Sequence, residues 1–222
     1  MRPVSYVWLV TALVVAALTG LYFYQVRSGA MQNAADAIAP TIQARAIGAD
    51  DHVRGQRDAE TELIIYSDPE CQYCQSFYRN TLPLLEERWG ADTAITYRHY
   101  FLPRFIGSRD EAKAAECAGF IAGEWAFWEY LGRMFERNAP AGQSSDFRAT
   151  AVQLGIEGDA FDQCMAGAAA EDRIQRDHID GTLAQVTMTP SVLVRRGHRT
   201  VLVAGDYLQK VNAAIEYVRA AE

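Results

Sequence analysis

Cys71 and Cys74 form a C-x-x-C pair within the segment Asp68-Pro69-Glu70-Cys71-Gln72-Tyr73-Cys74. The pair follows a short apolar run, residues 63–66, that predicts a buried strand, and it opens a helical pattern over residues 71–89. A thiol at a helix start lies near unpaired backbone N–H groups and the positive end of the helix dipole, which both stabilise a thiolate. The spacing therefore predicts a redox-active disulfide, with Cys71 as the nucleophile and Cys74 as the resolving thiol.

Two other functions of a C-x-x-C pair have to be weighed, a zinc site and an inert structural bridge. Zinc needs a second close pair of ligands. Cys117 and Cys164 lie far along the chain, and neither has a Cys or His within four positions. The histidines show no ligand spacing and are expected to pack or to face solvent: His52, His99, His178 and His198. Redox chemistry is therefore favoured over zinc, and the inert bridge remains the alternative.

The elements around the pair predict an α/β sheet with a helical insertion. A second strand is expected over residues 95–101, and Pro83 predicts a kink in the helix that begins at Cys71. Helical periodicity then dominates about 105–185, where Ser108 and Glu111 are typical of a capping box. A hairpin of strands at 191–194 and 200–203 and a last amphipathic helix at 208–218 complete the order.

The first 27 residues predict a membrane anchor. Residues 4–24 carry no charge, and a helix of this length spans roughly 31 Å, the thickness of the hydrocarbon core. A cleaved signal peptide is the alternative, but its apolar region is shorter and ends in small residues, whereas this one ends in Tyr22-Phe23-Tyr24. A buried core helix is a third alternative. Residues 28–50 are expected to form a stalk with helical tendency, followed by one domain over 51–222.

Composition excludes several function classes. The formal net charge is −7 and no basic cluster is longer than Arg195-Arg196, so nucleic acid is not expected as a partner. Half of the residues are hydrophobic, which predicts a folded domain with a real core. No glycine-rich phosphate loop, Walker motif or dinucleotide fingerprint is present, so no cofactor is expected.

Three segments together resemble the DsbA-type thiol-disulfide oxidoreductases of bacterial envelopes: Asp68 to Cys74, Gly55-Gln56-Arg57-Asp58-Ala59, and Met188-Thr189-Pro190-Ser191-Val192-Leu193-Val194. The resemblance covers about residues 51–222. It implies a thioredoxin-like fold with a helical lid. It also implies a cis peptide bond between Thr189 and Pro190 that faces the cysteines, where Thr189 offers backbone groups to an extended substrate. An ordinary trans proline at a strand start is the alternative.

The chain departs from the family pattern near the cysteines. Gln72-Tyr73 contains neither the Pro nor the His of strongly oxidising members. Many members carry an acid six residues before the first cysteine, where this chain has Ile65. Glu70 is expected to be a solvated turn residue, and a catalytic acid is the alternative.

The resemblance also concerns Cys117 and Cys164, because some members carry a second, structural disulfide in this domain. The alternative is that both are small buried hydrophobic residues. An oxidising compartment favours the bridge.

The function that the resemblance implies is the insertion of disulfides into exported proteins by a single-pass protein of the bacterial inner membrane, with its catalytic domain in the periplasm. The implied partners are exported polypeptides with free thiols and a membrane redox partner, either a quinone-linked reoxidase or an electron donor. A tethered reductase or isomerase of the same fold is the closest alternative. A non-catalytic envelope interaction module with a structural C-x-x-C is the alternative from another class.

Overall fold

The computed structural model describes residues 10–26, 42–104, 107–136, 146–205 and 208–220. The chain divides into two compact units, Met1–Thr41 and Ile42–Glu222. In the first unit, residues 10–26 form a helix with exposed side chains. None of the helices in the described part of the chain combines the length and the apolar character needed to cross a bilayer. The predicted span also includes residues 4–9, which lie outside the described residues, so the anchor stays a prediction.

The second unit is built on a five-stranded sheet in the order β1-β3-β2-β4-β5. The strands are β1 (Val53–Gly55), β2 (Thr61–Ser67), β3 (Thr93–His99), β4 (Ser191–Arg196) and β5 (Arg199–Ala204). β2 and β3 are parallel, while the other neighbours are antiparallel. The predicted strands are present. β1 was not expected, since its three residues, VRG, show no apolar alternation.

The segment after Cys71 crosses from β2 to β3, as a parallel pair requires. It comprises α1 (Gln72–Ser76), a π-helical turn (Phe77–Thr81) and α2 (Leu82–Trp89). The helix predicted to kink at Pro83 is instead irregular in the π-helical turn just before that residue. Pro83 itself occupies the first turn of α2, where its missing N–H costs no hydrogen bond.

The helical insertion contains α3 (Ser108–Ala122), α4 (Glu124–Glu136), α5 (Phe147–Gln153), α6 (Gly158–Ala166) and α7 (Ala169–Leu183). The chain ends in α8 (Leu208–Arg219). Periodicity alone predicted no break between α3 and α4. Gly123 makes it with a φ of 83°, a conformation that glycine adopts without steric cost. The prediction of a capping box at Ser108 and Glu111 is wrong, because Gly107 is the N-cap and Ser108 is the first helical residue.

Among the described residues of this unit, three apolar clusters form the core. One packs the face of the sheet that contains Leu63 and Ile65 against α2 and α8, and a smaller one covers the opposite face at Ile64 and Tyr66. The largest lies among the helices of the insertion and includes Cys71 and Cys74. The two thiols therefore lie where the sheet meets the helical insertion.

Residues 42–48, expected as part of a helical stalk, carry no helix and belong to the second unit. Arg45 explains this, because its guanidinium contacts Asp177 at 2.6 Å and Asp51 at 2.9 Å, and its backbone N–H donates to Asp180 at 2.6 Å. All three carboxylates are buried, and buried carboxylates require charged or hydrogen-bonding partners. The contacts of Arg45 with these carboxylates therefore hold residues 42–48 in place. Residues 28–41 of the expected stalk lie outside the described residues, and for them the stalk stays a prediction.

Candidate active site

Cys71 occupies the N-cap position of α1 in an extended conformation. Its backbone carbonyl accepts from the N–H of Gln75 at 2.9 Å, and its own N–H donates to the carbonyl of Asp68 at 3.1 Å. Both Cys71 and Cys74 are free thiols, and each exposes 1% or less of its surface. The end of β2 and the start of α1 therefore place Cys71 and Cys74 at a helix start, as the sequence pattern predicted.

The pKa of Cys71 is lowered to about 5. The hydrogen bond from the Cys74 thiol is the largest cause. Burial opposes it, and Thr189 and the backbone N–H groups of Cys74 and Tyr73 lower the pKa further. These N–H groups are the unpaired donors of a helix start, which favour an anion. At neutral pH Cys71 is therefore a thiolate.

The pKa of Cys74 moves in the opposite direction, well above its usual value. Burial is the main cause, and the hydrogen bond and charge of Cys71 add to it. Cys74 accordingly keeps its proton while Cys71 loses one. Such an asymmetric pair has one sulfur suited to attack and to leave, and one that closes the disulfide.

The loop before β4 lies over the thiols. The Thr189–Pro190 peptide bond is cis, and Cys71 Sγ lies 3.4 Å from the carbonyl oxygen of Thr189. Ser191 opposite Tyr66 places the start of β4 beside the end of β2. The structure thus brings Cys71, Cys74, Thr189 and Pro190 together, as the sequence analysis expected.

Two large side chains flank this site and are exposed. Tyr73, between the cysteines, is 71% exposed, and Met188, just before Thr189, is 47% exposed. Apolar surface on both segments that reach Cys71 is suited to an unfolded polypeptide rather than to a small polar ligand.

A group of carboxyls beside the pair was missed by the sequence analysis. Asp68 and Glu70 are 1% and 6% exposed, so the solvated turn expected at Glu70 is wrong. Glu70 accepts from the N–H of Gly107 at 3.1 Å, and both acids contact the hydroxyl of Ser108, the first residue of α3. Burial is the main cause that raises the pKa of Asp68 to about 7. Asp68 and Glu70 are buried because they contact the start of α3. No local pattern in the sequence indicates that contact.

Ile65, at the position where many members of the resembled family carry an acid, is 2% exposed in the apolar cluster below the sheet. It holds no proton that could serve the thiols. Asp68, in the β2–α1 loop, lies close enough to Cys71 for their charges to interact.

Cys117 and Cys164 form a disulfide that joins α3 to α6, with Cα atoms 5.7 Å apart. It lies in the helical core, and Cys117 is fully buried.

His99, Glu116 and Asp177 place potential metal-ligand atoms within 4.8 Å of one another. The donor set is already committed to ion pairs. Glu116 accepts from Nε2 of both His52 and His99 at 3.1 Å, and Arg173 and Arg45 lie beside Asp177. The arginines supply the positive charge that a metal ion would bring, so we assign this cluster as an ion-pair network.

A family model described as thioredoxin matches residues 48–210, well over half of the chain. The chain is 29% identical over 170 residues to the Na(+)/H(+) antiporter NhaA of Herminiimonas arsenicoxydans, an alignment that covers 76% of this chain and 26% of that protein. The chain therefore spans about a quarter of the length of the curated relatives it matches first.

Among solved structures, DsbA2 of Pseudomonas aeruginosa matches with a TM-score of 0.67 and 23% identity, covering 79% of this chain and 98% of that one. BdbD of Bacillus subtilis in its oxidised form matches with a TM-score of 0.70 and 16% identity, covering 82% and 99%. These similarities confirm the expected thioredoxin-like fold with a helical insertion.

Proposed function

This chain belongs to the thioredoxin family and has the fold of the DsbA-type oxidoreductases, and from that premise we propose that it introduces disulfides into exported proteins through Cys71 and Cys74. The opposite pKa shifts of the two thiols carry the proposal. A nucleophilic thiolate stabilised in the reduced protein makes the disulfide form a stronger oxidant.

The reaction conserves electrons and protons as follows. A substrate thiolate attacks Sγ of Cys71 in the Cys71–Cys74 disulfide, which forms a mixed disulfide and releases Cys74, whose sulfur takes a proton. A second substrate thiolate then attacks the substrate sulfur of the mixed disulfide and releases Cys71 as a thiolate. The substrate loses two electrons and two protons. The electrons stay on the cysteine pair, one proton stays on Cys74, and the other enters solvent.

Thr189 and Pro190 are proposed to position the substrate. Thr189 is 4% exposed and lies two residues before β4, so its backbone is held close to the edge of the sheet. An extended substrate beside it would hydrogen-bond in the manner of an added strand, which recognises backbone rather than sequence. This suits an enzyme that acts on many polypeptides.

We place this activity outside the cytoplasmic membrane of a bacterium, in the periplasm or its equivalent, since structural disulfides persist in oxidising compartments. The uncharged residues 4–24 support a single-pass anchor with the catalytic domain on the outer side. Anchoring would keep the enzyme near a membrane redox partner, a quinone-linked reoxidase or, in the reverse direction, an electron donor.

The deciding experiment is the reduction potential of the Cys71–Cys74 pair in the detergent-solubilised full chain, equilibrated against glutathione buffers. A sample with Cys117→Ala and Cys164→Ala reports the pair without the second disulfide. A potential near about −120 mV supports the oxidase, whereas one near about −270 mV identifies a tethered reductase or isomerase. A pair that does not exchange with glutathione in either direction identifies a non-catalytic interaction module.

A further inference from the structure

The hydroxyl group of Ser108 contacts two buried acids of the active-site loop, Asp68 and Glu70. Its Oγ lies 2.7 Å and 2.8 Å from the two carboxylate oxygens of Asp68 and 3.2 Å from Oε2 of Glu70. A serine hydroxyl carries a single hydrogen. It can donate to one acid only, so the contact with the other acid is repulsive unless one of the two carboxyls carries a proton.

Asp68 is an acid whose pKa is raised into the neutral range. It is 1% exposed, and burial raises its pKa to about 7 although Ser108 and the N–H of Glu70 donate to its carboxylate. The charges of Cys71 and Glu111 raise the pKa further. Near neutral pH Asp68 therefore changes between a neutral and an anionic form.

The groups that face Asp68 come from three elements. Cys71 and Glu70 belong to its own loop and the start of α1, and Ser108 and Glu111 belong to α3. Tyr97 of β3 has its pKa raised, mainly by burial and then by the charges of Asp68 and Cys74. Tyr97 remains neutral, so the acids and the Cys71 thiolate determine the local charge.

Interaction between two titrating groups is reciprocal. The Cys71 thiolate disfavours the ionised form of Asp68, and the Asp68 carboxylate must therefore disfavour the Cys71 thiolate by the same free energy. Reduced protein contains this thiolate and oxidised protein does not. The charge on Asp68 accordingly acts on one side of the redox equilibrium.

We propose that Asp68 is a positioning residue that makes the dithiol–disulfide equilibrium depend on pH, because its ionisation destabilises the reduced form through the Cys71 thiolate. Below neutral pH Asp68 is neutral and the protein is a stronger oxidant than it would be with a fixed negative charge. Above neutral pH this advantage is lost. The inference rests on the proposed redox function of the pair.

The proton balance shows what to measure. Two glutathione thiols reduce the disulfide, form one glutathione disulfide and transfer two electrons to the pair. Of the two protons that the thiols release, one stays on Cys74. The other enters solvent, or binds Asp68 where that carboxylate is ionised in the oxidised protein.

The test is the equilibrium constant for reduction by glutathione from pH 5.5 to 8.5, in the detergent-solubilised full chain. We compare wild type, Asp68→Asn and Asp110→Asn, the last as a control acid that is exposed in the first turn of α3. The equilibrium constant for reduction of Asp68→Asn, divided by that of wild type, is expected to be near one at pH 5.5 and about threefold to thirtyfold at pH 8.5. The Asp110→Asn ratio is expected to stay near one at every pH.

A ratio for Asp68→Asn that does not change with pH overturns the inference, since a purely structural effect acts equally at all pH values. If wild type itself does not exchange with glutathione, the proposed function fails instead, so the two failures are distinct.

Ser108→Ala leaves Asp68 in place and provides a second test if Asp68→Asn does not fold. Loss of the donor raises the pKa of Asp68, because the Ser108 hydrogen bond lowers it. The ratio of Ser108→Ala to wild type is therefore expected to exceed one near pH 7 and to return towards one at the acidic end. A ratio of one throughout the range also overturns the inference.

Discussion

Sγ of Cys71 lies 3.4 Å from the backbone oxygen of Thr189, although 118 residues separate the two in the chain. The contact follows from the sheet, because β2 leads into Cys71 and the antiparallel β4 begins directly after Thr189-Pro190. A nucleophilic sulfur and the backbone of a strand start thus face the same site. A substrate that pairs with that backbone would present its own sulfur to Cys71.

Single replacements of the two cysteines should have different effects. Cys71→Ser is expected to abolish oxidation of a reduced, unfolded model protein, since the attacked sulfur is gone. Cys74→Ser should also lose turnover, because it cannot form the internal disulfide. When its Cys71 thiolate attacks an added disulfide, however, it should accumulate mixed disulfides, because the Cys74 thiol that would displace the partner is absent. Non-reducing gel electrophoresis with mass spectrometry measures both. Equal trapping by the two variants would contradict the assigned roles.

Reduced protein should titrate a thiolate at low pH. The pKa of Cys71 is lowered to about 5, with the hydrogen bond from Cys74 as the largest cause. We expect the thiolate absorbance at 240 nm, taken as the difference from Cys71→Ser, to reach half its value near pH 5. A midpoint near about 8.5, the value of an ordinary cysteine, would remove the main support for the oxidase.

The same shift predicts how the stability of the reduced protein depends on pH. A pKa lowered on folding stabilises the folded state fully above the unfolded value, and this contribution is lost as pH falls through the folded value. The free energy of unfolding of reduced wild type, relative to Cys71→Ser, should therefore rise from about pH 5 to about pH 9. Urea unfolding at several pH values, with a reductant present, measures it. A constant difference over this range would show that the thiolate is not stabilised by the fold.

The sequence predicted those parts of the molecule that depend on local pattern. The apolar run before Cys71 and the helix start after it are neighbours in the chain, so the strand, the helix and the reactive pair could be derived together. The burial of Asp68 and Glu70 could not, because it depends on Ser108, about 40 residues later. The break at Gly123 was missed for another reason, since a glycine within a helical pattern is often tolerated.

The disulfide between Cys117 and Cys164 should stabilise the fold without changing the redox pair. Its sequence separation is 47 residues, for which the loss of chain entropy in the unfolded state predicts about 4 kcal/mol. Combined Cys117→Ala and Cys164→Ala replacement should lower the free energy of unfolding by about that amount. The reduction potential of Cys71–Cys74 should be unchanged. A large change in potential would assign the second disulfide a part in the redox reaction.

Glu116 provides the last prediction, because its carboxylate is fully buried between His52 and His99. Hydrogen bonds and charge from both imidazoles outweigh burial and hold the pKa of Glu116 far below its usual range. Glu116→Gln keeps the size of the side chain but removes the negative charge that both histidines and Arg173 face. We expect a loss of about 3 kcal/mol in the free energy of unfolding at pH 6.

The pH dependence of that loss separates charge from packing. The lowered pKa means that the carboxylate stabilises the fold above its unfolded value and loses this effect as the pH falls through the folded value. The difference between wild type and Glu116→Gln should therefore be constant from about pH 5 to 6 and narrow below about pH 4. Glu129→Gln, at an exposed position on α4, should differ little from wild type at either pH. A loss for Glu116→Gln that persists undiminished at low pH would assign the effect to packing, and the buried carboxylate would then contribute no charge interaction to the fold.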